Sequence, residues 1–180
     1  MNGGINSYFI LFLLYLLLSA CTHPPRGIVP VSNFQLDRYL GKWYEIARLD
    51  HSFERGLSDV SAHYRLQPDG NIEVINRGYD ASKDQWREAI GVAKFIGEPT
   101  VGALKVSFFG PFYGGYHIAE LDRQDYRWVL IVGASRNYCW ILARDRTITA
   151  ELRQQLINKA RQLDIDTDSF IWVAQERPDT

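Results

Sequence analysis

The chain has 180 residues and a formal net charge of -1, so it lacks the excess of basic charge from which a nucleic-acid-binding face is built. Its length allows one ordinary domain with a real core. Aromatic residues make up 13% of the chain, and Val, Ile, Tyr, Phe and Trp recur in short blocks, which favours an all-β domain.

The first element is an apolar run over residues 8–18, too short for a transmembrane helix and of the right length for a signal-peptide core. It closes on Leu18-Ser19-Ala20-Cys21. The small residues suit a cleavage site, and the pattern resembles the bacterial lipobox, whose cysteine is acylated and becomes the mature N-terminus. Residues 1–7 carry no Lys or Arg, a departure from the usual basic start. Residues 1–20 are therefore read as a lipoprotein signal peptide, 21–32 as a lipidated N-terminus with a tether, and 33–180 as the folded domain. Residues 22–32 hold three prolines and a glycine, the composition of a linker. With Cys21 acylated, Cys139 has no intramolecular partner and no disulfide is expected. Acyl chains on Cys21 would hold the domain at a membrane without spanning it. Thr22, rather than Asp, follows the cysteine, which by that resemblance favours the outer membrane.

Residues 33–40 fit one helical turn with Phe34, Leu36 and Leu40 facing inward. Strands are then expected over 43–50, 58–66, 72–79, 85–96, 103–109, 114–122, 126–133 and 138–144. The Gln67-Pro68-Asp69-Gly70-Asn71 link is specific hairpin chemistry. Eight strands joined by short links predict an up-and-down antiparallel β-barrel, which removes the exposed edges of an open sheet and can hold one small ligand. After Arg144 the period changes. Thr149 can cap a helix in which Leu152, Leu156, Ala160 and Leu163 share one face, predicting an amphipathic helix packed outside the barrel. Phe170-Ile171-Trp172-Val173 reads as a short final strand.

This order resembles that of the lipocalins. Gly41-x-Trp43 resembles their first signature, Leu121-Asp122-Arg123 with Tyr126 an altered second, and Arg144 at the end of the eighth strand the third. The resemblance implies that Arg144 stacks over Trp43 at the closed end, so that Gly41, Trp43 and Arg144 are structural; a guanidinium over an indole is a cation–π contact. Longer tracts, including 51–56, 74–79, 104–116, 140–144 and 170–173, resemble the bacterial outer-membrane lipocalins over essentially the whole mature chain. That implies a lipid-anchored lipoprotein, facing the periplasm, that stores or carries lysophospholipids or fatty acids for envelope maintenance under stress. It also implies a homodimer.

Alternation along the strands gives a lining of Ala47, Val60, Tyr64, Ala93, Phe95, Leu104, Val106, Phe108, Tyr116 and Trp140. His51, Arg55 and Tyr113 are candidates for headgroup contact at the open end. Enzyme readings are weaker. Ser107 lies outside a G-x-S-x-G elbow, the histidines lack metal-ligand spacing, and Cys139 falls out of phase with Trp140, so it is expected on the outer face. No metal or cofactor is expected. A lipid hydrolase or isomerase and a filled-barrel scaffold are the alternatives.

Overall fold

The computed structural model describes residues 22–178; the expected signal peptide and Cys21 lie outside them. A short helix, α1 (Leu36–Tyr39), leads into eight strands: β1 (Gly41–Arg48), β2 (Leu57–Leu66), β3 (Ile72–Asp80), β4 (Gln85–Phe95), β5 (Ala103–Phe109), β6 (Phe112–Leu121), β7 (Trp128–Val132) and β8 (Cys139–Ala143). Each pairs antiparallel with the next, and β1 pairs with both β2 and β8, closing the sheet into a barrel. Helix α2 (Ala150–Gln162) and a 3-10 turn (Thr167–Ser169) come next, and β9 (Ile171–Trp172) adds to β1.

The expected strands differ from these mainly at two ends. β6 begins at Phe112, two residues early, because its hairpin with β5 is tight and Phe109 pairs with Phe112 across Gly110-Pro111. β7 begins at Trp128 because Tyr126 has a positive φ of 55°. The Asp122 carboxylate accepts from the amides of Gln124 (3.2 Å), Asp125 (3.4 Å) and Arg127 (3.1 Å), holding that segment as a turn.

The apolar side chains form two cores. One fills the lower barrel with Phe34, Tyr39, Trp43, Ile118, Leu121 and Ile131 among others. The second lies outside, where Leu156 and Ala160 of α2 pack over Leu130, Val132, Cys139 and Ile141. Thr149 caps α2, its hydroxyl accepting from the Leu152 amide at 3.2 Å.

Two local features depart from the sequence reading. Ala47, expected to line the barrel, belongs to the outer core with Ile46. A β-bulge between Glu45 and Ala47 shifts the register against β8, and one extra residue reverses the inward and outward phase of the rest of the strand. Residues 22–32, expected as a tether, are laid against the barrel wall. Ile28 and Val31 are buried, the Val31 amide donates to Ile118 O and the Gly102 amide to Val31 O, and Arg136 Nη2 donates to Arg26 O at 2.7 Å.

Candidate ligand-binding site

The barrel has a plugged end and an open end. At the plugged end Arg144 lies over Trp43, its guanidinium carbon 3.9 Å from the ring centroid. Its Nη1 donates to Lys42 O at 2.7 Å, and its Nη2 to the carbonyls of Arg38 (2.8 Å), Tyr39 (3.1 Å) and Leu40 (2.9 Å). Trp43 Nε1 donates to Tyr39 O at 2.8 Å. Gly41 enters β1 at a φ of +90° with the Arg144 guanidinium beside its Cα, a backbone conformation that glycine adopts without strain. The lid and the aromatic floor beneath it thus form one unit.

Above the floor, Tyr116 OH stands 2.5 Å from Tyr39 OH and 2.7 Å from Tyr64 OH. Burial pushes the Tyr64 phenol up to about 12 and holds Tyr39 and Tyr116 well above the usual range, so all three stay neutral. Up the wall, side chains that point inward become accessible. Ile72, Val74, Ala93 and Leu104 are buried, whereas Asn76, Phe95, Val106, Tyr116 and Trp140 are half-buried and Ala89 is exposed. Gly114 shares the phase of Tyr116 and pairs with Val106, and a Cβ built on it would meet nothing within 4 Å. Phe108 lies across Gly91, where a Cβ would come within 2.7 Å of both its ring and Ser107 O. The upper barrel is therefore an open cup with an apolar and aromatic wall.

A charged group sits in the wall near the mouth. Beyond the bulge, Arg48 pairs across the sheet with Trp140 and is 1% exposed. Its Nη1 donates to Glu45 Oε1 at 2.7 Å, and its Nη2 to the carbonyls of Glu54 (2.9 Å) and Leu57 (3.2 Å). Trp140 Nε1 donates to Glu54 Oε2 at 3.0 Å. Burial, with the Glu54 charge beside it, pushes Glu45 up to about 8 against the pull of Arg48, and burial raises Glu54 too. Glu45 is thus protonated at neutral pH. His51 stacks between Phe53 (5.3 Å) and Tyr138 (4.9 Å), with Trp140 at 4.8 Å. Burial and the Arg48 charge lower it to about 4, so its imidazole is neutral.

The structure brings together on the inner face Tyr64, Ala93, Phe95, Leu104, Val106, Tyr116 and Trp140, with Phe108 over Gly91 and Val60 over Gly78 nearer the mouth. Ala47 is absent from this group. Of the headgroup candidates, His51 is at the mouth but buried in the aromatic stack rather than solvated. Arg55 is turned out into an exposed pair with Asp50 at 2.5 Å. Tyr113 lies on the outward phase, with Lys105 Nζ 5.1 Å from its ring centroid. Cys139 is fully buried in the outer core under α2, and burial pushes its thiol up to about 12, so at neutral pH it is not a nucleophile. The sequence reading missed Arg48 and Glu54. The clue was an arginine ending an apolar strand, but only the bulge turns it inward.

A family model described as a lipocalin-like domain matches residues 34–175. The outer membrane lipoprotein Blc of Vibrio cholerae is 48% identical over 166 residues, covering 92% of this chain and 97% of that protein. The outer membrane lipoprotein Blc of Escherichia coli K12 is 52% identical over 161 residues, covering 88% and 90%. Among solved structures, insecticyanin from the tobacco hornworm superposes with a TM-score of 0.65 at 18% identity, covering 84% of this chain and 86% of its own, a likeness of fold.

Proposed function

The chain belongs to the lipocalin family, and on that premise we propose that it is a lipid-anchored binding protein of the outer membrane, facing the periplasm. It takes up one single-chain amphiphile, a lysophospholipid or fatty acid, stores or carries it for membrane maintenance under stress, and leaves it chemically unchanged. The observation that carries the reading is the accessible inward wall of Phe95, Val106, Tyr116 and Trp140 above a filled floor. Apolar side chains that point into a barrel yet remain open to solvent need an occupant to complete their burial. An acyl chain laid against them gains roughly 0.8 kcal/mol per buried methylene, so several methylenes suffice after ordering costs.

The mouth suits an amphiphile's polar end. Glu45 as a neutral acid, the Glu54 carboxylate, the Trp140 indole and His51 are the polar groups nearest the opening. Two buried carboxylates around one arginine give a site close to electrical balance, which suits zwitterionic and anionic heads alike. Two close relatives bear the words outer membrane lipoprotein in their names, which supports acylation of Cys21 and the assignment to that membrane. The inert state of Cys139 supports binding without turnover.

Native mass spectrometry tests this on the full chain released from detergent and offered lysophospholipid and fatty acid in competition. One lipid per chain is expected, lost in Val106→Trp and Gly114→Trp, whose indoles would occupy the cup. No adduct with either lipid would overturn the binding reading. An adduct whose mass changes with time would replace it with an enzyme.

A further inference from the structure

The two ends of the barrel differ in what they show to solvent. At the open end Phe109 is 79% exposed, Phe112 62%, Phe53 55%, Tyr138 43% and Phe108 41%. They come from three separate connections, β1–β2, β5–β6 and β7–β8, that meet at the rim. The links at the plugged end are polar, Gln67-Pro68-Asp69-Gly70-Asn71 and Asp122-Arg123-Gln124-Asp125, and only Leu66 beside them is a large exposed apolar residue. Apolar side chains scattered singly over a surface need no explanation. Five aromatics gathered on one rim do, and aromatic rings are the side chains that settle at a membrane–water interface.

The path of residues 22–32 says what covers the rim. The Phe34 amide donates to Thr100 O near the plugged end. Going backward along the chain, Val31 bonds Ile118, and Thr22 O lies 3.2 Å from where a Gly115 Cβ would stand. The segment thus climbs the outside of the barrel toward the mouth and reaches β6 three residues from Phe112. At the rise of a strand that is about 10 Å. Thr22 is the residue next to Cys21 in the chain. Freed from the wall, residues 22–32 would span about 36 Å and allow any orientation; docked, they leave almost no slack.

The geometry points to the aromatic rim as a docking surface for the phospholipid bilayer that holds the acyl chains of Cys21, so that the mouth of the barrel opens onto the membrane surface. This rests on the reading of Cys21 as the lipid-bearing residue. The interfacial depth of Phe109 and Phe112 then adds to the anchor, and an amphiphile passes between bilayer and cup with little exposure to water.

The test uses the full-length lipoprotein reconstituted into vesicles of phosphatidylethanolamine and phosphatidylglycerol, with an environment-sensitive dye on Phe112→Cys at the rim or on Gln124→Cys at the plugged end. Cys139 is buried and does not compete for the label. Flotation reports anchoring, and quenching by lipids with spin-labelled headgroups reports proximity. The expected result is a floating protein whose dye is quenched at position 112 and unquenched at 124. Flotation with equal quenching, or with quenching at 124 alone, overturns the docked mouth and leaves the anchor standing. A dye at 112 that is unquenched but shifts to the blue as protein density rises shows the rim covered by a second copy and overturns it too. Failure of the full chain to float removes the anchor reading, and the proposal falls with it.

Discussion

Arg144 shows how much one side chain can hold at this barrel's floor. It closes the plugged end by stacking on Trp43 and donating to four backbone carbonyls. Arg144→Met removes the stack and strands those acceptors, and should cost about 3 kcal/mol, read from urea denaturation. Lipid stoichiometry should not change, since the cup lies above the floor. Glu45 makes a prediction in pH. Its folded value near 8 exceeds the ordinary 4.5, so the folded chain holds a proton that the unfolded chain has released. That contribution is complete below pH 4.5 and is lost as pH rises through 8, at up to about 1.4 kcal/mol per pH unit. His51, lowered to about 4, acts in the other direction, its contribution being lost as pH falls from 6.5 through 4. The melting temperature should therefore peak near neutrality, and Glu45→Gln should flatten the alkaline limb while leaving the acid limb. An unchanged alkaline limb in Glu45→Gln would show that Glu45 is already ionised in the folded protein. The period-two reading did place Glu45 inward. It could not find Arg48, whose inward turn depends on a bulge that no local pattern announces.

Helix α2 is the clearest case of an element legible from its sequence. The Thr149 cap and the spacing of Leu156 and Ala160 both register in the structure, because amphipathic spacing and cap chemistry are local. Leu156 is fully buried, and Leu156→Ala should cost about 3 kcal/mol with lipid uptake intact, measured by denaturation and mass spectrometry in parallel. Cys139 beneath the same helix should resist alkylation by iodoacetamide until denaturant unfolds the chain; labelling at native stability would show that α2 opens locally. Residues 22–32 were the least legible element. Their prolines and glycine read as a linker, yet Ile28 and Val31 find apolar grooves that exist only once the barrel has formed. Burial of this kind is tertiary and leaves little trace in local composition.

At the scale of the whole molecule the barrel was readable from strand count and short links, and the cup was not. A filled barrel and a hollow one use the same residue types, and only the open space over Gly114 and the accessibility of the upper wall tell them apart. A lipid bound there should raise folding stability by about 2.7 kcal/mol at a hundredfold excess over its dissociation constant, seen as a shift in melting temperature that Gly114→Trp abolishes. The plugged floor has a further consequence. A barrel stoppered by Arg144, Trp43 and the aromatic layer has a single doorway, so cargo must leave by the way it came in. Such a vessel cannot ratchet its contents in one direction. Its occupancy tracks the chemical potential of the amphiphile at whatever surface the doorway faces, filling where lysolipid accumulates and draining where it is scarce, so that net flow belongs to the envelope's own gradients and the protein acts as their capacitor.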